Sequence, residues 1–197
     1  MKNKDILIIG CGAIAHEINE IIKLNNWNNV NLQCLNADLH NTPKKLPTKI
    51  KETIESNLKE YSKIFLAYAD CGTGGLIDSM LKNYGIERLE GAHCYEFYAG
   101  SRLFKDLSDR EIGTFYLTDF LVKNFKRLVI DGLGISKHPS LKDEYFKNYK
   151  NIVYLAQKHD NDLELKAKDC ANYLNLEYSV HYTGLGNFED QLNKAMK

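Results

Sequence analysis

The 197-residue sequence carries 26 Lys and Arg against 26 Asp and Glu, a net charge of zero. That balance argues against nucleic-acid binding, which rests on surplus positive charge. No apolar run approaches the roughly 18 residues that a membrane span needs.

Asp5-Ile6-Leu7-Ile8-Ile9-Gly10 is a short apolar run that reads as a buried strand. It starts at once, with no signal-peptide pattern before it, so a cytoplasmic location is expected. The five cysteines would be reduced thiols there. Gly10-Cys11-Gly12 makes a turn, and Ile14, Ile18, Ile21 and Ile22 set a helical period from Ala13 to Asn25. Val30 to Leu35 is a second strand, followed by a polar loop to Pro47 that holds His40. Thr48 is placed to cap a helix running to about Tyr61. Lys63-Ile64-Phe65-Leu66 is a third strand, which leads through Asp70-Cys71-Gly72-Thr73-Gly74-Gly75 into a helix ending near Asn83. Arg88 to Cys94 is a weaker fourth strand, interrupted by Gly91.

Ser108 stands three residues before Glu111, a capping-box spacing that predicts a helix from Ile112 to about Asp131. His138-Pro139 starts another helix, with Tyr145, Phe146 and Tyr149. Asn151 to Gln157 and Leu176 to Tyr182 are the fifth and sixth strands. Between them Asp160 caps a helix to Leu174, and Phe188 to Met196 is the last helix. Strand and helix alternate almost throughout. The pattern predicts an α/β fold, a doubly wound and mostly parallel sheet of about six strands with helices on both faces. A helical insertion over about 101–149 separates the fourth and fifth strands, as a lid or a dimer face in a single domain 1–197.

Four thiols fall at equivalent places in this pattern. Cys11 follows the first strand, Cys34 lies near the end of the second, Cys71 follows the third and Cys94 ends the fourth. Parallel strands present their carboxyl ends on one edge, where ligands bind. His40 and His93 lie nearby in sequence, as do Asp70 and Glu96, the candidate catalytic carboxylates. Thiolates with imidazoles suit zinc or an iron–sulfur cluster. The candidate metal ligands are therefore Cys11, Cys34, Cys71, Cys94, His40 and His93. Buried cysteines can also serve as small hydrophobes, the expected role of Cys170 in mid-helix.

Gly72, Thr73, Gly74 and Gly75 open a helix, and their amides are candidates to bind an anionic ligand. The Lys-Ser/Thr ending of a Walker motif is missing. Gly10-Cys11-Gly12-Ala13-Ile14-Ala15 approaches the dinucleotide fingerprint, but no acid ends the second strand to hold a ribose.

Leu39-His40-Asn41-Thr42-Pro43, Asp70 to Gly75, His93-Cys94-Tyr95-Glu96 and Gly113 to Phe120 together resemble a bacterial and archaeal domain family of unknown function. Members of that family look like companions of corrinoid- and folate-linked methyltransferases acting on methylamines or methoxy compounds. The resemblance implies one-carbon metabolism, with tetrahydrofolate as ligand or a corrinoid carried by a partner. It also draws attention to Asp119, an acid in an otherwise apolar segment. Three functions compete: a metal-dependent methyl-transfer or redox component acting on a small anion or folate, an NAD(P)-dependent oxidoreductase, and a non-catalytic subunit docking on a methyltransferase or corrinoid protein. Self-association into a homo-oligomer is compatible with each.

Overall fold

The structure, a computed structural model, describes residues 5–196. Among them six strands form two three-stranded parallel sheets with helices around them, an α/β fold. Where the sequence pattern suggests one sheet in one domain, the chain divides into two compact units. One is Met1–Cys94 with Phe188–Lys197, the other Tyr95–Asn187.

In the first unit β1 (Ile6–Cys11) lies between β2 (Val30–Leu35) and β3 (Lys63–Ala67). Ile8 is level with Leu32 on one side and Phe65 on the other. Leu7, Ile8 and Ile9 are at most 1% exposed. Their strand is covered on both faces, which is why it reads as a continuous apolar run. Helix α1 (Ala15–Leu24) contributes Ile18 and Ile21 to the core, and α2 (Leu46–Asn57) contributes Ile50 and Ile54. A Cβ on Gly10 would come within 2.9 Å of Ile18 Cδ1, so the bare glycine lets α1 press against the sheet. Helix α2 starts before Thr48, with Pro47 in its first turn, where the missing N–H costs nothing.

The fourth strand expected over Arg88 to Cys94 is not a ladder. A single bridge joins Leu66 to Arg88. The segment is held instead by Arg88, whose guanidinium donates to both Asp78 oxygens at 2.5 and 2.8 Å in helix α3 (Leu76–Leu81).

The second unit begins with α4 (Tyr95–Arg110), kinked at Gly100. Ser108 lies inside this helix and caps nothing. Glu111, past its end, accepts from the Gly113 amide at 2.9 Å and from Lys150 Nζ at 2.8 Å. The helix expected from Ile112 to Asp131 is instead β4 (Thr114–Thr118), a short α5 (Asp119–Lys123) and a π-helical turn over Lys126–Asp131. Thr114, Phe115, Tyr116 and Thr118 are β-branched or aromatic and favour a pleated strand. Strand β4 pairs with β5 (Asn151–Ala156), which pairs with β6 (Glu177–Tyr182). The 101–149 segment is therefore not wholly helical. It ends with α6 (Ser140–Phe146).

Asp160 caps α7 (Asn161–Leu174), accepting from the Leu163 amide at 3.1 Å. Cys170 is buried in the core of this unit with Leu163, Ala167 and Leu174. The last helix, α8 (Phe188–Ala195), belongs to the first unit, where Asn25 Nδ2 donates to Glu189 Oε1 at 3.2 Å. No helix of the described residues is long and apolar enough to cross a membrane.

Candidate thiolate centre

The strand order β2-β1-β3 reverses direction beside β1. Right-handed crossovers then put α1 and α2 on opposite faces. The crevice between the carboxyl ends of β1 and β3 is the switch point where open α/β sheets bind ligands. Cys11 ends β1 at this crevice, and the Tyr68 to Gly75 turn leaves β3 there.

Cys94 reaches the same edge without a strand. The Asp70 amide donates to Gly91 O at 3.2 Å and the Cys71 amide to Ala92 O at 2.9 Å. These two bonds lay the 91–94 segment against the turn and bring Cys94 to Cys71. Cys94 and His40, the latter in the 3-10 turn Ala37–Asn41, both influence the Cys71 thiol. Interaction with Cys94, opposed by burial and aided by His40 and His93, holds the Cys71 thiol well below its ordinary range. The same interaction and burial push Cys94 up. Cys71 itself adopts φ 50, a left-handed conformation uncommon outside glycine.

Burial pushes the Cys11 thiol up to about 11, against a bond from the Ala13 amide at 3.4 Å. Cys34 is level with Gly10 on the edge strand β2 and is exposed. Cys11 and the Cys71 turn therefore share the carboxyl edge of the sheet, with Cys34 exposed on the edge strand. Among the described residues, no group of three or more His, Cys, Asp or Glu side chains is positioned to hold a metal ion as it stands.

The glycine turn is built differently from the anion cradle expected. Asp70 itself takes its donors. Its carboxylate accepts from the Gly74 amide at 2.9 Å, the Gly75 amide at 2.8 Å and the Thr73 hydroxyl at 2.7 Å. Partial burial pushes the Asp70 carboxyl up, but these three bonds and the Arg88 charge outweigh it and hold the group below its ordinary range. Asp70 is thus a brace for the turn. The helix behind it, α3, is only six residues long. Glu96, the other candidate carboxylate, lies in the first turn of α4 in the second unit.

The first turn is also committed. A Cβ on Gly12 would come within 3.1 Å of Leu35 O, so this glycine allows β1 and β2 to end close together. Cys11 accepts from the amide at the start of the following 3-10 turn.

One residue escapes sequence reasoning. Tyr68 is 3% exposed, and its hydroxyl lies beside the Cys11 sulfur. It makes no hydrogen bond of normal geometry with any protein atom. Burial and the thiols of Cys11, Cys71 and Cys34 push its pKa up, so it remains a donor. No motif marks it, because a Tyr after an apolar strand reads as core. Tyr68→Phe is expected to change stability by less than about 1 kcal/mol, since the hydroxyl has no partner to lose. A loss of more than about 2 kcal/mol in urea unfolding would mean that a bonded partner had been removed.

Residues 34–192 match the family model described as "Protein of unknown function (DUF1638)". The chain belongs to that family. The matched span contains Cys34, His40, Asp70 to Gly75, His93 and Cys94, while Cys11 precedes it. No match is found among curated proteins.

Proposed function

We propose that the carboxyl edge of the first sheet is a thiolate centre for zinc or an iron–sulfur cluster, serving transfer of one-carbon groups. The observation that supports the reading is the shared sheet edge: Cys11 ends β1, Cys71 lies in the turn after β3, and the Cys71 amide bonds Ala92 O, two residues before Cys94. Such donors suit thiophilic metals. The orphaned Tyr68 hydroxyl is the kind of group that a bound ligand satisfies. Cys11, Cys71, Cys94 and His40 form the favoured ligand set, with His93 and Cys34 as reserves. Bound zinc would act as a Lewis acid on a substrate or its leaving group, whereas a cluster would deliver electrons. The link to methyl groups, to a folate and to a corrinoid or methyltransferase partner rests on the motif resemblance alone.

Elemental analysis and absorbance of protein purified without oxygen test the reading. About one metal site per chain is expected, colourless for zinc and brown for a cluster. Cys71→Ser and Cys94→Ser should each lower metal content about tenfold or more, because a hydroxyl is a poor replacement for thiolate. Wild-type metal content in both variants, with the fold intact by circular dichroism, overturns it.

A further inference from the structure

We infer that the first unit holds a further binding site, a cavity lined by α3 and α8 that takes a zwitterionic α-amino acid with an apolar side chain. The cavity has a volume of about 630 Å³, a size that suits a small molecule. Its lining residues belong to the first unit. The inference draws on none of the thiols and does not require the metal reading.

Two helices supply walls to this cavity. Asp78 and Leu81 of α3, with Lys82 at its C-cap, are spaced i, i+3, i+4. Gln191, Lys194 and Ala195 of α8 repeat that spacing. Each trio therefore shares one helix face. The 85–90 segment also lines the cavity and is tied to β3 by the Leu66–Arg88 bridge. The apolar part of the lining is well buried, with Phe65, Leu81, Leu89 and Ala195 at most 7% exposed.

The polar groups set the chemistry of the ligand. Gln191 Oε1 is buried and makes no hydrogen bond with any protein atom. A carbonyl oxygen only accepts, so a ligand must bring it an N–H or O–H donor. Arg88 is already spent on Asp78 and on the Leu89 and Gly91 carbonyls. It is not free to clamp a phosphate. The other charges at the cavity are Lys82 and Lys194 against Glu87 and Glu90, two of each sign, with no ion pair to any of the described residues. A molecule that carries an ammonium, a carboxylate and an apolar side chain on one carbon answers all of these. Its ammonium donates to Gln191 Oε1 in the field of the two glutamates. Its carboxylate meets Lys194, one step along the same face of α8. Its side chain covers Phe65 and Leu89.

The test is to titrate isotope-labelled full-length protein with L-leucine and follow the amide chemical shifts. Saturable shifts confined to Phe65, α3, the 85–90 segment and α8 are expected, with a dissociation constant of about 1 mM or tighter. Gln191→Met keeps the bulk and removes the acceptor, and Lys194→Ala removes the cation. Each should weaken binding about tenfold with the fold intact. Isocaproate, which lacks the ammonium, and leucinamide, which lacks the carboxylate, should each bind about tenfold more weakly than leucine. Absence of saturable shifts at about 10 mM leucine, shifts centred elsewhere, or unchanged affinity in Gln191→Met overturns the inference. Equal binding of either analogue also overturns it, because the cavity would then be reading the apolar side chain without the zwitterion. The metal measurement above reads other residues, so a failure of either leaves the other standing.

Discussion

Asp70→Ala should lose about 2–3 kcal/mol of unfolding free energy at neutral pH, the cost of removing an acceptor for several charge-assisted bonds. Without the carboxylate, the Thr73 hydroxyl and the Gly74 and Gly75 amides lose their shared acceptor. The left-handed conformation of Cys71, next in the chain, loses the brace that helps hold it. The pH dependence identifies the mechanism. The folded-state pKa of Asp70 is lowered, so the ionised carboxylate stabilises the fold fully above the unfolded value of about 3.9. That contribution is lost as pH falls through the lower folded value. Urea unfolding of wild type and Asp70→Ala should therefore differ most near neutrality and converge in strong acid. Asp70→Asn, which keeps one acceptor oxygen, should fall between them. An unchanged gap between wild type and Asp70→Ala in strong acid would mean that the charge contributes nothing and that only shape was lost.

What could be read in advance follows from how each residue's burden is shared between local pattern and distant partners. Strands β1 and β3 are legible because burial stamps a short apolar run on each, and the edge strand β2 because Val30 and Leu32 alternate with Asn31 and Gln33. Strand β4 is not. Leu117 is fully buried, with Tyr116 and Thr118 nearly so. The run continues into Phe120, Leu121 and Val122, so periodicity alone cannot separate a strand buried on both faces from a buried helix. Pairing with β5, more than thirty residues away in sequence, decides it.

The sheet edge bearing Cys11 and Cys71 is legible because topology follows from alternation. The expected fourth strand, by contrast, is not what orders the segment before Cys94, which depends on two amide bonds and has no regular structure. The glycine turn carries a usable signal that points away from a ligand. An Asp just before Gly-Thr-Gly-Gly is placed to cap the turn's own amides, and Asp70 does so.

Asp119→Ala should cost about 3 kcal/mol, since it leaves buried donors without an acceptor. Asp119 is 5% exposed and starts α5 directly after β4. Its Oδ1 accepts from Tyr154 Oη at 2.6 Å and from the Gln157 amide at 3.0 Å. Its own amide donates to Gln157 Oε1 at 2.7 Å. These bonds clamp the end of β4 to the end of β5, which accounts for an acid in an apolar segment. Asp119→Asn keeps an oxygen where Oδ1 stands and should cost less than half as much. Tyr154→Phe combined with Asp119→Ala should cost less than the sum of the two single changes, because the hydroxyl orphaned by the second is removed by the first. The metal content of folded Asp119→Ala should equal that of wild type, because Cys11, Cys71, Cys94 and His40 all belong to the first unit. Additive costs in the double variant would break the clamp argument, and a fall in metal content with the fold intact would tie Asp119 to the thiolate centre.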